Sequence, residues 1–274
     1  MATFTHPTDS LRLHYLDRGS GRPLVLLHGL LWSSRMFVRL RRLLPGHRVI
    51  LLDLRGHGLS ERPVDPELYT WRGFSSDVIC LLDHLGIEQA VVGGLSLGAN
   101  VAIATALANP QRCRGLVVEM PVLERGRAPA TRIFSALART IEAGGRTVRG
   151  TTWILRRLPP VSVVPELAAI RDVATMDPES AVAIIRGLIA SGLPTDDQPG
   201  LKSLQMPALV IGHRRDPLHV MDDARELAGL LPRGRFVQAS SILEYRLHPE
   251  RLAAHLGPFL EEAWGQPRPL DLDP

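Results

Sequence analysis

Lysine is almost missing from this chain: Lys202 is the only one among 32 basic residues in 274. The formal net charge of +4 is therefore arginine charge, and the arginines are scattered, with no basic run that interleaves with aromatic residues. A clustered stripe is what a polyanion surface requires, so no nucleic-acid partner is expected. Cysteine is scarce too. Cys80 and Cys113 fit neither a disulfide framework nor a metal-ligand spacing, and both read as small buried hydrophobes. No uncharged apolar run reaches the roughly 18 residues of a membrane span. The start, Met1-Ala2-Thr3-Phe4-Thr5-His6, lacks the charged region and apolar stretch of a secretory leader. The expectation is a cytoplasmic protein without a membrane partner. No phosphate loop, dinucleotide fingerprint or metal-ligand cluster occurs, so no cofactor and no metal are expected.

What is present suits one folded unit. Hydrophobic residues make up 45% and charged residues 22%, the balance of an ordinary globular protein able to bury a sizeable core. Residues 11–15 alternate apolar and polar, as an edge strand with one solvated face does. Pro23-Leu24-Val25-Leu26-Leu27 is a continuous apolar run, which predicts a strand buried on both faces. A helical spacing through Met36, Phe37, Leu40, Leu43 and Leu44 follows, then a strand at residues 49–52. The pattern repeats, with a helix around Val78, Leu81, Leu82 and Leu85, a strand at 90–94, a helix from Ser96 to Ala108 and a strand at 115–119. Strands alternating with crossover helices predict an α/β fold with a mostly parallel central sheet flanked by helices.

From residue 121 to about 200 the strand signal gives way to helical patterns, including Ala181, Ile184, Ile185, Leu188 and Ile189 on one stripe behind Pro178. Strand character resumes at 207–212 and 235–239, before a last helix through Leu252, Leu256, Phe259 and Leu260. The predicted organisation is a core of residues 1–120 and 201–264, a helical lid insertion of residues 121–200, and a disordered tail of residues 265–274 rich in proline and acid.

The most specific motif is Gly94-Leu95-Ser96-Leu97-Gly98, because a buried strand precedes it and a helix follows. A serine on such a sharp turn is exposed at the top of the sheet, and flanking side chains two residues away would collide. The helix behind it points its positive end at any charge that develops there.

With this motif in its setting, the sequence resembles the lid-bearing branch of the α/β-hydrolase superfamily over residues 11–264. His28-Gly29-Leu30 stands where the family's first oxyanion-hole loop lies, Asp53-Leu54-Arg55-Gly56-His57-Gly58 resembles the loop after the next strand, and Asp216-Pro217-Leu218-His219 resembles the acid-bearing loop. The resemblance implies a serine nucleophile at Ser96, an orienting acid at Asp216, and oxyanion donors in the backbone N–H groups of Leu30 and Leu97. His28 reads as structural, the Asp53, Arg55 and His57 cluster as the floor beside the pocket, and Glu119 as a place where some members carry a relocated acid.

The resemblance fails at the base. In the family a histidine falls in the loop after the last strand, a few residues before a proline. Here that stretch is Ala239-Ser240-Ser241-Ile242-Leu243-Glu244-Tyr245-Arg246-Leu247-His248-Pro249, with Ser241 or Ile242 at the expected place. The triad therefore reads as incomplete. His248, late by six or seven residues, is the candidate displaced base, and His219 beside the acid is the other.

Two functions compete. One is a serine hydrolase acting on a small, hydrophobic ester, thioester or amide, slowly or with a displaced base. The alternative is a divergent member without the triad histidine that binds a small ligand or catalyses a non-hydrolytic step in the same pocket. Both imply a small-molecule partner. The apolar lid residues Phe134, Ile141, Trp153, Ile154, Leu155 and Met176 suggest a hydrophobic ligand, each reading as lid core more readily than as pocket wall, and nothing in the sequence fixes an oligomeric state.

Overall fold

A computed structural model describes residues 2–157, 171–172, 175–214, 216, 218–241 and 244–265. Eight strands form one sheet: β1 (Ala2–Thr5), β2 (Arg12–Arg18), β3 (Arg22–Leu27), β4 (His47–Leu52), β5 (Ala90–Leu95), β6 (Cys113–Glu119), β7 (Ala208–His213) and β8 (Gly234–Ala239). Their order is β1-β2-β4-β3-β5-β6-β7-β8. Strands β1 and β2 run antiparallel to their neighbours, and the pairs from β4 through β8 are parallel. The edge strand is β1, not the segment at residues 11–15. β1 is only four residues long and buries Phe4 alone, too little apolar pattern to stand out in the sequence.

The apolar run of β3 is explained by two cores. Val25 and Leu27 enter one and Leu24 and Leu26 the other, all essentially inaccessible. The first core is closed by helices α1 (Trp71–His84) and α2 (Leu97–Ala108). Thr70 opens α1 by accepting a hydrogen bond from Gly73 N–H at 3.1 Å. The predicted helix around Met36 to Leu44 is instead two 3₁₀ turns, Ser34–Phe37 and Leu40–Leu43. Phe37, Leu40 and Leu44 are buried while Leu43 is exposed.

Between β6 and β7 the described residues are helical: α3 (Glu124–Arg157), kinked at Gly145, α4 (Pro178–Ala190) and α5 (Gln198–Ser203). Asp177 caps α4 by accepting from Ser180 N–H, with Pro178 in its first turn. After β7 come α6 (Met221–Leu230), then α7 (Glu244–Leu247) and α8 (Pro249–Gly265) behind β8. Gly265 closes α8, and residues 266–274 of the predicted tail lie outside the described residues. Cys113 is buried, as expected, but Cys80 is only partly so. No helix among the described residues is long and apolar enough to cross a membrane.

Candidate functional site

Ser96 stands between β5 and α2 with φ 53° and ψ −113°, a conformation that costs energy for any residue with a Cβ. Its N–H donates to Glu119 O at 2.9 Å, and its carbonyl accepts from Asn100 N–H at 3.1 Å. The two glycines of the motif are needed for the reason the sequence suggests. A Cβ on Gly98 would lie 2.1 Å from Leu27 O, and one on Gly94 2.6 Å from the same oxygen.

Facing the serine is the loop after β3. Gly29 approaches it so closely that a Cβ there would come within 3.6 Å of Ser96 Cβ. His28 holds this loop and does not act in it. Its ring is fully buried, Nδ1 donates to Gly29 O at 2.8 Å, and Nε2 accepts from Leu54 N–H at 3.0 Å. Burial pushes its pKa down, against the pull of Asp53, so the neutral ring fits its two backbone partners. Leu31 follows at φ 65°. Leu30 N–H has no acceptor among the described residues, and Leu97 N–H, first in α2, has no intrahelical acceptor. Both residues line the cavity at Ser96.

The partner of the serine is His219. Its Nε2 lies 2.9 Å from Ser96 Oγ, and its Nδ1 lies 2.7 Å from Asp216 Oδ2. Of the two histidines offered as a displaced base, His219 is the one the structure brings to Ser96. The same short loop holds acid and imidazole, because Asp216 Oδ1 accepts from Leu218 N–H at 2.9 Å and His219 N–H at 3.1 Å, curling the chain until the ring meets the other carboxylate oxygen. Burial would raise the pKa of Asp216, but the bond and charge of His219 and the two N–H groups outweigh it and hold it at about 2. An ionised carboxylate only accepts, so Nδ1 carries the proton and Nε2 presents its lone pair to the serine hydroxyl.

His248, the favoured displaced base, is not at this site. It lies between α7 and α8, is 53% exposed, and pairs with Glu250 at 3.2 Å. Of the stretch where the base was expected, Ile242 lies outside the described residues, and Ser241 offers its carbonyl to His213 Nδ1 at 2.7 Å. That loop brings an arginine instead. Arg246 Nη2 donates to both oxygens of the buried Glu119 at 2.8 Å, and His213 Nε2 is 3.3 Å from the same carboxylate. Glu119 is thus an ion-pair partner and not a relocated acid. Asp53 likewise is structural: it accepts from His14 Nδ1, Ser34 N–H and Leu59 N–H, and these bonds hold its pKa at about 2 against the opposing push of burial.

A cavity of about 170 Å³ opens at Ser96, walled by Trp71 from α1, Phe134 from α3, and Ile185, Leu188 and Ile189 from α4. Of the apolar lid residues named from the sequence, only Phe134 is in this wall. Met176 and Ile141 pack in the cores, whereas Trp153 and Ile154 are exposed. The apolar stripe on α4 supplies more of the wall than the aromatic residues of α3.

Known proteins match this chain in sequence and fold. The family model described as alpha/beta hydrolase fold matches residues 22–241. A 2-hydroxymuconate semialdehyde hydrolase from Pseudomonas sp. (strain CF600) is 29% identical over 92% of each chain. A 3-oxoadipate enol-lactonase 2 from Acinetobacter baylyi is 31% identical, over 65% of each chain. Among solved structures, a thermophilic esterase from Thermogutta terrifontis superposes with a TM-score of 0.75 at 25% identity, covering 96% of this chain and 98% of the other.

Proposed function

Since this chain belongs to the α/β hydrolase fold family, we propose that it is a serine hydrolase acting on a small, hydrophobic ester, thioester or amide, with Ser96, His219 and Asp216 as its triad. The observation that carries the reading is the bonded series from Ser96 Oγ to His219 Nε2 and from His219 Nδ1 to Asp216 Oδ2. In the first half-reaction Ser96 Oγ attacks the substrate carbonyl carbon while its proton passes to His219 Nε2. The charge that forms on the carbonyl oxygen is met by the N–H groups of Leu30 and Leu97, which are fixed before reaction and need no reorganisation. As the acyl–oxygen, –sulfur or –nitrogen bond breaks, His219 returns the proton to the leaving group. Water then attacks the acyl-enzyme, gives its proton to the same nitrogen, and releases the acid and free Ser96.

Asp216 keeps the imidazole in the tautomer that can accept, and stabilises the imidazolium between the two proton transfers. We read α3 and α4, within the predicted lid of residues 121–200, as its wall over the serine, since both contribute apolar side chains there. The names of two relatives, an enol-lactonase and an esterase, agree with hydrolysis of an ester bond. The displaced base also removes the motive for the binding-only alternative, which rested on a missing histidine.

The test is fluorophosphonate labelling and hydrolysis of 4-nitrophenyl esters by the wild type beside Ser96→Ala, His219→Ala and His248→Ala. Labelling confined to Ser96, with turnover lost in the first two variants and kept in the third, is expected. A wild type that neither labels nor exceeds the Ser96→Ala background would return the protein to a binding role.

A further inference from the structure

Among the described residues the cavity wall carries one cation, Arg127 in the first turn of α3. An arginine in an acyl pocket ordinarily invites a substrate carboxylate, because its planar donors match one. Here the guanidinium is already engaged. Arg127 Nη2 donates to Asp196 Oδ1, in the 3₁₀ turn Pro194–Asp196, and lies 3.1 Å from Glu124 Oε2. Two carboxylates around one guanidinium leave the local balance negative. The loop that bears Asp196 is itself anchored to the pocket, since Trp71 Nε1 donates to Gly192 O at 3.0 Å and Asp196 Oδ2 accepts from Leu193 N–H at 3.2 Å.

Asn100, the wall's amide, is equally spent. Asn100 Nδ2 donates to Val122 O at 2.8 Å and its Oδ1 accepts from Val122 N–H at 3.1 Å, so it has little left for a ligand. Arg127 Nε is buried with no acceptor among the described residues, a single donor suited to a neutral oxygen and unable to form the two-point grip on a carboxylate. Apart from Ser96, Thr131, Trp71 and Gly192, the other described wall residues are Leu, Ile, Val, Phe and Ala, and against them a carboxylate would lose its hydration without replacement.

We infer that Arg127, neutralised by Asp196 and Glu124, makes this site selective for uncharged acyl groups and excludes substrates with a second, ionised carboxylate. The inference rests on the hydrolase reading above and adds the substrate class and the residues that set it. Arg127 is a specificity residue whose charge is balanced by its two acids through Nη2.

The experiment compares 4-nitrophenyl butyrate with the 4-nitrophenyl monoester of glutaric acid, in the wild type and in the Glu124→Gln/Asp196→Asn double variant. The initial burst of nitrophenolate is read alongside kcat/KM, so that acylation is measured even if later steps are slow. The wild type is expected to favour the neutral ester by about tenfold or more, the scale of one partly screened charge at a protein surface. The double variant frees the guanidinium, and the preference is expected to fall by about tenfold. A wild type that uses the anionic ester equally well or better overturns the inference, as does a preference the double variant leaves unmoved while its melting curve and Ser96 labelling stay intact. If wild-type Ser96 neither labels nor gives a burst with either ester, the hydrolase reading itself has failed and this inference falls with it.

Discussion

His219 Nε2 lies 2.9 Å from Ser96 Oγ, and the acid that orients this imidazole, Asp216, is only three residues upstream of it. Acid and base thus come from one loop after β7, so their geometry is set by two local backbone bonds to Asp216 Oδ1. The loop after β8 is released from carrying a base, and it delivers Arg246 to Glu119 instead.

Replacing His219 by alanine should lower kcat for a 4-nitrophenyl ester by about 10⁴-fold or more, because the serine then has no group to take its proton. His248→Ala should leave kcat unchanged, since that side chain points to solvent beside Glu250. Parallel steady-state assays of the two variants decide between them. An inactive His248→Ala with an active His219→Ala would reverse the assignment.

Asp216→Asn isolates the role of the acid. An asparagine Oδ1 can still accept the N–H groups of Leu218 and His219, so the loop keeps its shape. Its amide, however, donates toward Nδ1 and drives the imidazole proton to Nε2, the tautomer that cannot accept from Ser96. A loss of about 10⁴-fold in kcat with little change in KM is expected. An unchanged kcat would mean that the carboxylate does not orient the ring.

How far the sequence could be read follows from the range of the forces involved. The two-faced burial of Leu24 to Leu27 and the collisions at Gly94 and Gly98 are local, and the apolar run and the glycines announce them directly. Ser96, Leu30, Leu97 and Asp216 were legible because strand ends determine where they stand. His219 stood only as the second candidate for the partner of Ser96, because reading it from family position looks in the loop after β8, where this chain has no histidine. A local signal did exist: Asp216 and His219 are spaced for an aspartate-capped turn, which brings the i+3 side chain back to the carboxylate. Which lid residues reach the cavity wall was not legible for a different reason. Trp153 and Ile154 on α3 differ little in sequence from Leu188 and Ile189 on α4, and only the packing of the helices decides which pair faces the serine.

Glu119 and Arg246 form an ion pair whose carboxylate is buried at the end of β6. The pull of Arg246 and His213 keeps that carboxyl below its usual pKa, although burial pushes it the other way. Arg246→Ala should therefore cost about 3–5 kcal/mol, chiefly by leaving Glu119 charged and unpaired. Removing both charges, in Glu119→Gln/Arg246→Met, should cost clearly less than the two single changes added together. Urea denaturation at pH 7.5 measures all of these, and strict additivity would show that the pair is not coupled.

The last prediction concerns pH. His57 is fully buried against the His28 ring, at 5.0 Å between centroids, with Nδ1 bonded to Arg55 O at 2.9 Å. Burial, reinforced by His28, lowers its pKa from 6.5 to about 3. Between those two values the unfolded chain binds a proton that the native chain does not, so stability must fall as the pH falls. The contribution is complete above pH 6.5 and is lost progressively down to about pH 3. Between pH 7.5 and pH 5 this group alone should remove about 2 kcal/mol of unfolding free energy. In His57→Asn the amide can donate to Arg55 O in place of Nδ1, and nothing at that position titrates. The variant should start less stable at pH 7.5 yet lose about 2 kcal/mol less than the wild type on going to pH 5, as measured by urea midpoints at the two pH values. Equal losses in the two proteins would mean that the buried ring takes up its proton without unfolding.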